Sequence, residues 1–172
     1  RCTPLVDGDR LYVQSCNGEF QCLSIVDGKQ LWRVNFTKDY HAGVPAERGV
    51  AKGAQRHGFT ASPWVDGQRL IVLVGDTQGA GIVCFDKQTG RVLWKSQNDR
   101  AANAAPITAS FGPRASRQVI AFTVEGLIGL DLGSGDLLWR VPITTTYGRH
   151  VMTPVVVGNL AMVGSKEYSS RP

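Results

Sequence analysis

The chain has 172 residues, a formal charge of +5 and 42% hydrophobic residues, with 20 glycines and 8 prolines. That suits one turn-rich domain, and the longest apolar runs are strand-sized, so no stretch reads as a membrane span or a leading signal peptide. Basic residues are scattered through turns and strand ends without a Lys/Arg run or an aromatic platform, which argues against a nucleic-acid interface.

Taken in order, residues 1–36 read as four short strands around Leu5-Val6, Leu11-Tyr12-Val13, Gln21–Ile25 and Leu31–Val34, with hairpin signals at Asp7-Gly8-Asp9 and Asn17-Gly18. A sheet this small cannot bury both faces alone, so it must stack on others of its kind. Residues 37–58 read as a long inserted loop rich in Gly, Ala and charge, carrying Lys38, Asp39, Tyr40 and His41; the choice is between a loop over a binding face and a solvated excursion. Asn35-Phe36-Thr37 matches a glycosylation sequon, a triplet common by chance. Strands near Ala61–Val65, Arg69–Gly75, Gly81–Phe85 and Val92–Lys95 make a second unit at 59–97. A third covers 104–142, its first hairpin loop lengthened by Phe111–Ser116, and 152–164 begins a further unit, with Lys166–Pro172 as a tail. A chain that starts at Arg1 and stops within a repeat reads as a piece of something larger.

The units are copies of one another. In each a turn closes on glycine and a tryptophan follows: Gly28 and Trp32, Gly90 and Trp94, Gly135 and Trp139. Glycine supplies the positive φ that the turn demands, and tryptophan is the large anchor of the strand behind it. Ten residues before each tryptophan stands a small residue, Cys22, Cys84 or Gly129. Thr3-Pro4, Ser62-Pro63, Ala105-Pro106 and Thr153-Pro154 open the four units.

The run Cys84-Phe85-Asp86-Lys87-Gln88-Thr89-Gly90-Arg91-Val92-Leu93-Trp94, echoed by Gly129-Leu130-Asp131 through Trp139, resembles the repeat of the PQQ-type, or quinoprotein-like, β-propeller. The first copy departs from it with Ser24 in place of Asp. The resemblance implies an all-β fold, a β-propeller of four-stranded antiparallel blades, about three and a half of them here, with tryptophans packed between blades. It also implies a bacterial protein that is periplasmic, envelope-associated or secreted.

Two functional readings follow from the resemblance. One is a non-catalytic binding or scaffold module without a cofactor, whose partner is a protein or a small anionic ligand. The other is a PQQ-dependent alcohol dehydrogenase-type enzyme, for which the family implies pyrroloquinoline quinone, calcium held by Glu, Asn and Asp, and adjacent cysteines. No two cysteines are adjacent, and most acidic residues (Asp7, Asp9, Asp27, Asp66, Asp86, Asp131, Asp136) sit in turns that explain them. Only Asn103 is a candidate for the cation.

In a propeller, equivalent positions in successive blades circle one rim of the channel. Just before the inner strands these are Arg56 and His57, Arg100 and Asn103, and Arg149 and His150. Such a ring would favour an anion, because guanidinium offers carboxylate or phosphate a fixed fork of donors. The alternative is that these entry loops are simply polar. His57 and His150 lack metal-type spacing, so no metal site is assigned. Cys22 and Cys84 read as free core thiols, whereas Cys2 and Cys16 are candidates for a disulfide across the first hairpin, one residue out of register.

Overall fold

The structure, a computed structural model, describes residues 2–43, 58–111, 116–145 and 148–165. Within them lie three four-stranded antiparallel sheets and one two-stranded sheet, each in simple up-and-down order. The first comprises β1 (Leu5–Asp7), β2 (Arg10–Gln14), β3 (Glu19–Ser24) and β4 (Gln30–Asn35). The short helix α1 (Phe36–Asp39) follows it. The second holds β5 (Trp64–Asp66), β6 (Arg69–Asp76), β7 (Ala80–Asp86) and β8 (Val92–Ser96). The third holds β9 (Ile107–Phe111), β10 (Ser116–Phe122), β11 (Gly126–Asp131) and β12 (Leu137–Pro142). β13 (Val155–Val157) and β14 (Leu160–Met162) form the half-blade.

The repeat is reproduced down to its irregularities. Trp32 pairs with Cys22, Trp94 with Cys84 and Trp139 with Gly129, and in every blade the register slips immediately afterwards. The extra residue at the slip is Leu31, Leu93 or Leu138, each turned outward. A bulge of this kind sharpens local twist and aims the neighbouring side chain.

The turn before each bulge is built alike. Gly28, Gly90 and Gly135 have φ of +69°, +71° and +79°, and each donates its N–H to the carbonyl of the residue that opens the turn, Ser24, Asp86 or Asp131. The Asp86 carboxylate accepts the N–H groups of Gln88 and Thr89 and the Thr89 hydroxyl, and Asp131 does the same with Gly133 and Ser134. The Ser24 hydroxyl oxygen accepts from Val26 N, at 3.2 Å. The departure of the first copy thus costs it turn hydrogen bonds without changing its shape.

Burial follows blade position. In the second blade Leu70–Val74 and Ile82–Phe85 are inaccessible on both sides, because a blade packs on each face. In the first, β2 buries only Tyr12 and Gln14, having a neighbour on one face. One core joins the first blade to the third, and a smaller one around Ile120, Phe122 and Leu127 continues towards Val156 and Ala161 of the half-blade.

The inserted segment starts with structure that its composition did not announce. Asn35 caps α1, its Oδ1 accepting from Thr37 N at 3.1 Å and Lys38 N at 3.0 Å, while its Nδ2 donates to Glu19 Oε2 at 2.7 Å. The sequon asparagine is therefore a helix cap. The remainder of the segment, 44–57, and the loop 112–115 lie outside the described residues.

Candidate functional site

In an up-and-down sheet the turns alternate between two ends. The first and third turns of every blade share one face; the second turns and the connections between blades share the other. The two faces have different chemistry.

The first face is occupied by the seams. The Trp32 ring lies against the turn of the next blade, where a Cβ on Gly90 would stand 2.7 Å from it, and its indole N–H donates to Lys87 O at 3.2 Å. Tyr12 Oη donates to the same carbonyl at 3.0 Å. One blade on, Trp94 repeats the arrangement: a Cβ on Gly135 would be 2.6 Å from the ring, and Nε1 donates to Leu132 O at 3.1 Å. Ion pairs flank these seams, Lys87 with Asp7 and Arg117 with Asp66. Burial alone would raise the Asp66 carboxyl, but the Thr108 hydrogen bond and Arg117 together hold it below its usual range. The turn aspartates are likewise low, Asp86 through the Thr89 hydroxyl and Asp131 through the Ser134 N–H.

The second face carries the rim. Thr60 and Asn103, each three residues before the proline of its inner strand, meet through Thr60 Oγ1 donating to Asn103 Oδ1 at 2.9 Å. Asn103 N then donates to His150 O at 2.9 Å. Neighbouring entries are thus stitched to one another. Arg100 bonds Glu125 twice, from Nε to Oε1 at 2.7 Å and from its backbone N to Oε2 at 2.9 Å, and remains half exposed. Arg149 is partly buried. Arg56 and His57 lie outside the described residues.

His150 is on the rim by backbone only. Its imidazole is wholly buried, stacked on Phe122 with centroids 4.0 Å apart, and Nδ1 donates to the Thr123 carbonyl at 2.6 Å. A carbonyl can only accept, so Nδ1 carries a proton. The ring fastens the entry of the half-blade to the β10–β11 turn and is not presented to solvent.

A buried ion pair beside it had no counterpart in the sequence pattern. Asp99, 4% exposed, accepts both arms of the Arg140 guanidinium at 2.8 Å and the Thr123 hydroxyl at 2.6 Å. Arg140 also donates to Gln97 Oε1 at 2.9 Å, and Asp99 raises its already high pKa. This pair ties the β8–β9 connection to the third blade. The available signal was the position after the tryptophan, basic in all three units (Arg33, Lys95, Arg140), but nothing local marks Arg140 as the buried one.

Of the inserted-loop candidates, Asp39 accepts from Asn35 N at 2.7 Å, and Tyr40 is buried edge-on against Phe85 with its hydroxyl pushed up to about 12 by burial and by Asp39. His41 is exposed at φ +55°. All four cysteines are free thiols: Cys2 donates to Gln14 O at 3.4 Å, Cys16 is exposed, and Cys22 and Cys84 are core. Burial pushes Cys84 up to about 12.

The donor set does not fit the quinone and calcium of the enzymatic reading. The Asn103 oxygen accepts from Thr60, and the turn aspartates accept from their own turns. Among the described residues no three His, Cys, Asp or Glu side chains converge as a metal site would require, and no helix is long and apolar enough to cross a membrane.

Comparison with known proteins agrees with this architecture. The outer membrane protein assembly factor BamB of Burkholderia pseudomallei (strain K96243) is 27% identical over 167 residues, an alignment covering 85% of this chain and 43% of that protein. The crystal structure of BamB from Moraxella catarrhalis superimposes with a TM-score of 0.53 at 19% identity, covering 87% of this chain and 38% of that one. A europium-containing methanol dehydrogenase gives 0.57 at 16% identity, over 81% and 24%. The chain thus spans less than half the length of these proteins, and the two structural likenesses speak to fold alone. The family model described as outer membrane protein assembly factor BamB, of PQQ type, matches residues 2–170, and the chain belongs to that family of β-propeller proteins.

Proposed function

We propose that this chain is part of a non-catalytic, protein-binding scaffold of the bacterial envelope, working on the periplasmic side in outer-membrane protein assembly. Family membership supports the compartment and the class. The observation that carries the non-catalytic reading is the commitment of Asn103 and the turn aspartates to interblade and turn hydrogen bonds, which leaves a quinone and its cation without ligands among the described residues.

The rim is the contact face of this scaffold, with the half-exposed Arg100 and with Arg149 as its basic residues, and with Arg56 and His57 of the adjoining segment as their repeat equivalents. Arg100 already has a carboxylate partner in Glu125, so an incoming group must exchange with a side chain. A protein presenting several carboxylates does this more readily than a small anion, because its remaining contacts offset the broken pair. Asn103 and His150 hold the rim in shape beneath.

The test has two arms. Calorimetric titration of pyrroloquinoline quinone with and without calcium is expected to give no binding heat; calcium-dependent binding would overturn the scaffold reading. In the second arm, Arg100→Glu combined with Arg149→Glu should weaken co-purification of the outer-membrane assembly proteins of the same organism at least tenfold. Unchanged recovery would remove the rim as the contact face.

A further inference from the structure

Two seam cations on the turn face are paired across blades, Lys87 with Asp7 at the first seam and Arg117 with Asp66 at the second. Arg69, which opens β6, is not paired in this way. Its side chain is partly buried, its Nε is buried without a hydrogen-bond partner, and its guanidinium makes no ion pair among the described residues. The carboxylates around it are engaged elsewhere. Asp66 accepts Arg117 Nε at 2.8 Å, Asp86 accepts from Gln88 and Thr89, and Asp131 of the next blade accepts from Gly133 and Ser134. Asp66, which burial would raise and Thr108 and Arg117 hold low, and Asp131, which the Ser134 N–H holds low, each feel Arg69 as a weaker further pull. The guanidinium thus sits in a field of acids without bonding to one.

The first blade shows how the position is otherwise used. Arg10 stands opposite Asp7 and Ser24, as Arg69 stands opposite Asp66 and Asp86. Beside Arg10 is Asp9, its Oδ1 3.8 Å from the Arg10 Nε. Beside Arg69 is Gln68, whose carboxamide carries no charge. The exchange leaves a cation, partly withdrawn from water, with which no acid of its own turn pairs. Gly67 and Gln68, at the centre of that turn, are exposed, and a Cβ on Gly67 would meet nothing within 4 Å. The approach to the guanidinium over the turn is therefore open.

We propose that Arg69 is a carboxylate-binding site on the turn face, where a ligand carboxylate takes the place that Asp9 holds beside Arg10. One edge of a guanidinium presents two parallel N–H groups that match the two oxygens of a carboxylate, and the orphaned Nε is one of them. Swinging the side chain out over the open turn brings that edge to the ligand. A phosphate dianion meets twice the repulsion from Asp66, Asp86 and Asp131, so a singly charged, planar acid is the better fit. The site lies on the opposite face from the rim and does not depend on the rim as a contact surface.

NMR of arginine-labelled protein, with the Arg69 Nε–H resonance assigned through bonds to its own backbone amide, tests the site. Titration with sodium acetate, against sodium chloride at matched ionic strength, should shift that resonance along a saturating curve. Gln68→Asp supplies the carboxylate from within the turn. It should move the resonance in the direction that acetate does and weaken the acetate response roughly 2- to 5-fold, the worth of one exposed pair. In Arg69→Gln the acetate-induced shifts of the Gln68 and Leu70 amides should disappear. An amidated tri-glutamate peptide separates two sources of the carboxylate: saturation at a lower carboxylate concentration than acetate assigns a protein side chain, and saturation at an equal one assigns a small acid. A resonance that answers acetate no more than chloride, or an acetate response unchanged by Gln68→Asp, would overturn the site. Gln68 is exposed, so that variant decides the matter even if Arg69→Gln does not fold.

Discussion

The seam can be weighed by comparing one substitution at two equivalent glycines. Gly28 and Gly135 occupy the same turn position, with φ of +69° and +79° and the same turn hydrogen bond from their N–H. They differ in what lies outside: nothing within 4 Å of a Cβ at Gly28, but the Trp94 ring at 2.6 Å from a Cβ at Gly135. Alanine at Gly28 should therefore cost only the left-handed backbone penalty, about 1–2 kcal/mol. Alanine at Gly135 should cost that plus an overpacking term of about 1–3 kcal/mol, as the indole is pushed off its seat and off Leu132 O. The expected difference is about 1–3 kcal/mol, with Gly90→Ala behaving like Gly135→Ala because Trp32 stands over it. Urea unfolding followed by tryptophan fluorescence and circular dichroism, analysed at constant m-value, reads it. Equal destabilisation at Gly28 and Gly135, within about 0.5 kcal/mol, would refute the claim that glycine is needed there for the seam as well as for the turn.

Removing one member of the Asp99–Arg140 pair by Arg140→Met should destabilise by about 3 kcal/mol, at the low end for a broken buried pair because Arg140 keeps 27% of its side chain exposed. Asp99→Asn with Arg140→Met should recover part of this, and simple additivity of the two in a denaturation series would count against coupling. Asp86 and Asp131 titrate below the usual carboxylate range, so their stabilisation is fully present above about pH 4 and disappears as the pH falls through their folded-state values. Both are partly exposed at the edge of their turns, so the contribution is on the order of 0.5 kcal/mol each or less. Asp86→Asn with Asp131→Asn should be less stable than the parent at pH 6 and indistinguishable from it near pH 2 by thermal unfolding, and a gap that widens on acidification would contradict the sign.

Blades, strand order and seam anchors were legible because they rest on repeated local chemistry. A polar turn closing on glycine, a tryptophan four positions later and a small residue opposite recur in Gly28, Gly90 and Gly135 with their partners, and repetition separates signal from chance. The rim was legible only as backbone. Equivalence placed Asn103 and His150 at the entries of neighbouring inner strands, but the direction of a side chain depends on the blade below. His150 found Phe122 and a carbonyl beneath it and turned inward. Asp99 and Arg140 were invisible for the converse reason: their contact spans 41 positions, and neither residue sits in a repeated pattern that singles it out. The helix cap at Asn35 was masked by a sequon reading of the same three residues.

The division between the two faces bears on where specificity can reside. Several large side chains on the turn face are used between blades: Trp32 on Gly90, Trp94 on Gly135, Lys87 on Asp7, Arg117 on Asp66. Changing any of these to suit a partner would loosen a seam, so these positions are held close to the repeat pattern by stability. The connection face is constrained at particular residues, Asp99, Asn103 and His150 among them. The described parts of the three connections between blades have unrelated sequences, one with a capped helix at Asn35, one with the buried Asp99–Arg140 pair and one with the inward His150. Among the described residues each is fastened at a few points, Phe59 N on Cys16 O, Arg100 on Glu125 and His150 on Thr123. Variation tolerated between fixed fastenings is the physical condition for a recognition surface on a rigid scaffold. On the contact face proposed above, a change at the half-exposed Arg100 should alter binding while leaving the unfolding midpoint close to that of the parent.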